Sequence, residues 1–131
     1  MNKFVLLLVA LFLITIPLAS AAPTIENVSV QPSSLWLGEY TTISLKCFDN
    51  NYTIEQVYAD IIGPSITLPT MYFTKSNENY TLSIDEEYLD RTGDFDVTIS
   101  CENNESNIST DSASFTVSEL TGYINGINRR E

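Results

Sequence analysis

From residue 41 to residue 47 the chain alternates without a break. Thr41, Ile43, Leu45 and Cys47 fall on one side, with Thr42, Ser44 and Lys46 on the other. Successive side chains of a strand point to opposite faces, so this pattern spells a half-buried β-strand. The same period runs through residues 54–62, where Val57, Ala59 and Ile61 oppose Tyr58, Asp60 and Ile62, and through 95–101, where Phe95, Val97, Ile99 and Cys101 oppose Asp96, Thr98 and Ser100. Shorter stretches predict strands at 24–30, at 70–74 on an edge, at 80–84 with Tyr80, Leu82 and Ile84 inward, and at 113–117 with Ala113, Phe115 and Val117 inward. Asn, Asp, Gly, Ser and Pro separate them, notably at Gln31-Pro32-Ser33-Ser34, Gly38-Glu39, Gly63-Pro64 and the Asn-rich stretch 102–111. Residues 85–93 form a corner with Leu89 as its buried plug, and no helical period persists over three turns. Seven short strands at this spacing predict an all-β, two-sheet sandwich.

The first residues follow a different rule. Lys3 supplies a positive start, residues 4–14 are an unbroken apolar run, Pro17 breaks it, and Ala19-Ser20-Ala21 sets small residues before a cut. The expected arrangement is a signal peptide over 1–21 and a mature start at Ala22, with cleavage after Ala22 as the alternative. The apolar run is shorter than the ~20 residues a spanning helix needs, and nothing after residue 22 approaches that length. No cysteine lies near the cut, so a lipid-anchored lipoprotein is not expected. The folded domain is expected over 22–117. Residues 118–131, with Gly122 and Asn125-Gly126, are expected to be a linker or frayed tail that tethers the domain to a larger assembly or chain.

Charge narrows the function classes. The chain carries 17 acids against 6 Lys and Arg, a net charge of −11. Phosphate contacts need clustered Lys and Arg, so nucleic acid is excluded as a partner. There is no histidine, which removes the commonest general base, Ser-His-Asp and Cys-His arrangements, and histidine zinc sites. Acid pairs suited to glycoside hydrolysis fall on solvent-facing strand and corner positions. No enzyme activity and no cofactor are expected.

Gly38-Glu39 followed by Ile43-Ser44-Leu45-Lys46-Cys47 resembles the second strand of immunoglobulin-like domains, and Leu89, Gly93, Phe95 and Cys101 resemble their corner and sixth strand. Phe95 stands in place of the corner tyrosine. The resemblance covers roughly residues 24–117. Two departures, no tryptophan in the third strand and a second cysteine six residues after Phe95, point away from antibody and receptor types. The chain is more similar to the immunoglobulin-like modules of prokaryotic, especially archaeal, cell-surface proteins. That resemblance implies a seven-stranded sandwich and roles in adhesion, spacing or envelope assembly, and transfers no catalytic residue. It also implies that Cys47 and Cys101, at the same ends of the second and sixth strands, form one inter-sheet disulfide, worth ~4 kcal/mol in the chain-entropy model.

Two further sets of residues carry candidate chemistry. Five N-glycosylation sequons begin at Asn27, Asn51, Asn79, Asn104 and Asn107, most of them in predicted turns. Oxygen ligands for calcium are available at Asp85, Glu86, Glu87, Asp90, Asp94 and Asp96 around the corner, or at Asp49 and Asn50 in the first loop, without EF-hand spacing. The plainer reading of the corner is a loop kept soluble by charge. Tyr40, Tyr52, Tyr58 and Tyr123 are candidate contact residues, although isolated surface aromatics are ordinary. The expected function is a non-catalytic, secreted or surface-held module whose partners are other envelope proteins or glycans. The alternatives are a soluble ligand binder working through the loops beside the cysteines, or a calcium-dependent module.

Overall fold

The computed structural model describes residues 21–119. Residues 1–20, which hold nearly all of the expected signal peptide, and residues 120–131 of the expected tail lie outside the described residues. Among the described residues ten strands are present: β1 (Thr24–Gln31), β2 (Ser34–Trp36), β3 (Thr41–Phe48), β4 (Ile54–Gly63), β5 (Ile66–Thr67), β6 (Met71–Tyr72), β7 (Thr74–Ser76), β8 (Asn79–Ile84), β9 (Gly93–Asn103) and β10 (Ile108–Ser118). They form a four-stranded sheet in the order β1-β3-β8-β7 and a six-stranded sheet along β2-β10-β9-β4-β5, with β6 also paired to β4. With β1, β3, β7, β8 as strands A, B, D, E and β4, β9, β10 as C, F, G, this is the strand order of an immunoglobulin-like sandwich.

The count of seven strands is therefore corrected to ten, and the single edge strand expected at 70–74 does not exist as one element. Met71 and Tyr72 pair with Ala59 and Tyr58 of β4, whereas Thr74 to Ser76 pair with β8 in the other sheet. The chain changes sheets at Phe73, whose amide still donates to the Val57 carbonyl at 2.9 Å and whose side chain packs on the core. Two- and three-residue pairings are too short to write a period into the sequence, which is why the crossing was not visible there.

The first strand divides in the same way. β1 lies antiparallel to β3 with a bulge at Asn27, φ 56°. After the cis Gln31–Pro32 peptide, β2 lies parallel to β10 in the opposite sheet. The buried Thr41 hydroxyl donates to the Pro32 carbonyl at 2.6 Å and pins this crossing. Residues 24–36 thus supply an edge strand to each sheet.

The alternation predicted for 41–47 is the alternation observed, with Ile43, Leu45 and Cys47 buried. In 95–101 Phe95, Val97, Ile99 and Cys101 are buried as predicted, but Ser100, expected to face outward, is buried as well at 6% exposed. Phe95 and Phe115, partners in register on β9 and β10, stack with centroids 5.0 Å apart and planes 5° from parallel. They fill the centre where no tryptophan is available. A side chain at Gly63 would overlap the Phe95 ring, so the glycine at the end of β4 is what lets that ring lie flat against the backbone. Leu89, 1% exposed, plugs the corner as expected, from just behind a single 3-10 turn at Glu86–Tyr88. The strand directions define two poles. β3 and β9 end together at the disulfide pole, where β1 begins, and β10 ends at the opposite pole beside β2 and the 85–93 corner.

Candidate functional site

Cys47 and Cys101 are joined, with Cα atoms 6.7 Å apart, between β3 of one sheet and β9 of the other. Two residues beyond each cysteine lies a polar side chain, and the two meet. Asn103 Nδ2 donates to Asp49 Oδ2 at 2.9 Å. Asp49 Oδ1 accepts the backbone N–H groups of Asn51 at 2.9 Å and Tyr52 at 3.1 Å, closing the β3–β4 loop as an Asx turn. Asn103 Oδ1 accepts the N–H groups of Glu105 at 2.9 Å and Asn107 at 3.0 Å, closing the β9–β10 loop. One buried asparagine, 1% exposed, therefore organises its own loop and fastens it to the neighbouring one. The Asn103 hydrogen bond, followed by the Asn51 N–H, holds the Asp49 carboxyl below the ordinary aspartate value, against a smaller opposing effect of desolvation.

Asn103 was missed in the sequence, where it is one of several asparagines in a polar stretch. Its position two residues past an inward cysteine was the available signal, since in a continuing strand that offset returns to the inner face.

The five sequon asparagines come to this half of the molecule. Asn51 lies in the β3–β4 loop and Asn104 and Asn107 in the β9–β10 loop. Asn79 opens β8 opposite Lys46, and Asn27 sits on the β1 bulge between the pairings of Glu26 with Lys46 and Ser29 with Ser44. Asn27, Asn51, Asn79 and Asn104 are exposed. Asn107 is half-buried, its Nδ2 closed off from solvent without a hydrogen-bond partner.

The acids named as calcium candidates are not brought together. Asp85, Glu86 and Glu87 fan outward around the 3-10 turn, Asp90 accepts from Arg91 Nε at 3.0 Å, and Asp94 accepts from Thr116 Oγ1 at 2.8 Å. Asp96 stands on the outer face of β9 between Ile62 and Ser114. Asp49 is already engaged by three N–H donors, and Asn50 beside it is exposed. Among the described residues no group of three or more His, Cys, Asp or Glu side chains is placed to hold a metal ion.

The candidate contact tyrosines are dispersed as well. Tyr58 packs beside Tyr72 on the outer face of β4 and β6, with centroids 5.9 Å apart. Tyr52 is half-buried in the β3–β4 loop. Tyr40 is exposed at the opposite pole, where Gln31, Pro32, Gly38, Glu39 and Thr42 complete an open cleft of about 590 Å³. Tyr123 lies outside the described residues.

Neither a protein-family model nor a curated protein sequence matches the chain. Solved structures do. An endo-β-1,4-mannanase from Thermotoga petrophila superposes with a TM-score of 0.57 at 10% identity, covering 77% of this chain and 21% of the mannanase. CopC from Methylosinus trichosporium OB3b superposes with a TM-score of 0.50 at 13% identity, covering 73% of this chain and 95% of CopC. The likeness is one of fold. This chain spans about a fifth of the mannanase and nearly all of CopC. At such identities a shared sandwich says nothing of shared chemistry.

Proposed function

We propose that the chain is a non-catalytic, extracellular immunoglobulin-like module that serves adhesion, spacing or assembly in a cell envelope, of the kind found on prokaryotic and especially archaeal surfaces. The observation that carries this reading is the placement of the first and last strands of the folded domain. β1 begins at the disulfide pole and β10 ends at the opposite pole, so the first and last strands open at opposite poles of the sandwich, an arrangement suited to spacing. The sheet-to-sheet disulfide supports an oxidising, exported setting, where such bonds persist. The chain has no histidine, and its carboxylates are engaged by turn donors or spread over solvent-facing positions, which supports a structural role over a catalytic one.

Surface cross-linking of intact cells that produce the full chain, followed by fractionation, tests this. The expected result is recovery in the envelope fraction, cross-linked to an envelope protein or glycan. Quantitative recovery as an uncross-linked monomer in the medium would replace the reading with a free secreted domain.

A further inference from the structure

Asparagine is unevenly distributed over this domain. The loops of the opposite pole, residues 32–40, 64–65 and 85–92, turn with Pro, Gly, Ser, Asp and Glu and contain no asparagine. The loops of the disulfide pole, 49–53, 77–78 and 104–107, are built around it. Turn geometry accepts Asp, Ser or Asn at many of the same positions, so turn formation alone does not account for the segregation. Sequons that are up to 80 residues apart in the sequence, from Asn27 to Asn107, fall in one half of the domain only through the topology, Asn27 on the flank of β3 and the others at the disulfide pole.

Their local environments differ in a way that sorts them. N-linked transfer needs a side-chain amide nitrogen reachable by the enzyme and a free hydroxyl two residues on. Asn51, Asn79 and Asn104 are exposed, and so are their partner hydroxyls Thr53, Thr81 and Ser106. Asn27 is exposed on the left-handed bulge, with Ser29 half-buried beside it. Asn107 meets neither requirement. Its Nδ2 is closed off from solvent, and the Ser109 hydroxyl is engaged in donating to the Pro23 carbonyl.

We propose that the disulfide pole is crowned by N-linked oligosaccharide at Asn27, Asn51, Asn79 and Asn104, and that Asn107 is bypassed. The donor is an oligosaccharide linked through phosphate to a polyprenyl lipid, acted on by an oligosaccharyltransferase of the exporting cell. At each site a bond forms between Nδ2 and the anomeric carbon of the first sugar. The bond from that carbon to the lipid phosphate breaks, the amide proton passes to the enzyme's base, and the lipid phosphate departs. The crown rests on the exported setting proposed above and adds to it an orientation. The sugar-covered end is the one at which the folded chain begins, and the bare end carries Trp36, Tyr40 and the acidic corner.

The test is intact mass and glycopeptide mapping of the full chain expressed in an export-competent host that carries an oligosaccharyltransferase. Variants Ser29→Ala, Thr53→Ala, Thr81→Ala, Ser106→Ala and Ser109→Ala are run beside it, with folding followed by circular dichroism. The expected result is four occupied sites, loss of one glycan mass with each of the first four substitutions, and no change with Ser109→Ala. A bare mass on exported protein overturns the crown while leaving the export reading standing, and a glycan at Asn107 overturns the sorting by burial. A chain that remains in the cytoplasm overturns the export reading, and the crown with it.

Discussion

Asn103 donates to Asp49 at 2.9 Å from a position two residues beyond Cys101, and Asp49 lies two residues beyond Cys47. The hydrogen bond repeats the covalent cross-link one step further along both strands and carries it from the core into the loops. Replacing Asn103 by alanine strands the N–H groups of Glu105 and Asn107 and removes one of the three donors to the Asp49 carboxylate. The expected cost is about 1–3 kcal/mol, read as a lower urea midpoint with an unchanged m-value.

The same pair gives the domain an acid limb. The folded Asp49 carboxyl lies below its ordinary value of 3.8, so between the two values the unfolded chain binds more protons. Its stabilisation is complete above the unfolded value and is lost as pH falls through the folded one. Urea unfolding followed from about pH 6 to about pH 2.5 should show stability falling on the acid side, and Asp49→Asn should flatten that fall. An unchanged limb in the variant would assign it to other carboxylates.

Removing the disulfide tests how much the core can hold unaided. The bond closes a sequence separation of 54 residues in a small sandwich. The Cys47→Ala, Cys101→Ala double variant is expected to lose about 2–5 kcal/mol. Thermal unfolding of the oxidised and reduced wild-type chain should differ in the same direction.

Gly63 is a packing position. Its missing side chain is the space occupied by the Phe95 ring, and that ring is held from the far side by Phe115. Gly63→Ala therefore forces the stacked pair to shift, at about 1–3 kcal/mol. A near-UV dichroism change, reporting the phenylalanine environment, should accompany the lower midpoint.

Thr41 separates a hydrogen bond from the volume that surrounds it. Thr41→Val keeps the shape but leaves the Pro32 carbonyl without its 2.6 Å partner. A loss of about 1 kcal/mol is expected, with amide exchange accelerating in β1 and β2 before β4 or β9.

The long central strands were legible because each buries one face. In 41–47 and 95–101 every second residue is apolar, and a slip of one residue would turn the whole set into water. The cysteine pairing was legible once those registers were set. The sheet change at Phe73 was not, because the pairings on either side of it are shorter than one period of evidence. Asn103 was hidden by its neighbours, Asn104 looking the same in sequence yet lying in solvent while Asn103 is enclosed. The placing of Asn27 and Asn79 on either side of Lys46 was likewise out of reach, since it depends on which strands lie beside β3.

The division of residues 24–36 between the two sheets has a consequence for how the domain could fail. Cleavage or displacement of that single segment would uncover the free edges of β3 and β10 together. The remainder would be a strand acceptor with two vacant templates, one selecting an antiparallel donor and the other a parallel one. The matching segment of a second copy satisfies both, so damage at this one stretch would be expected to produce exchanged dimers before it produced unfolded chains.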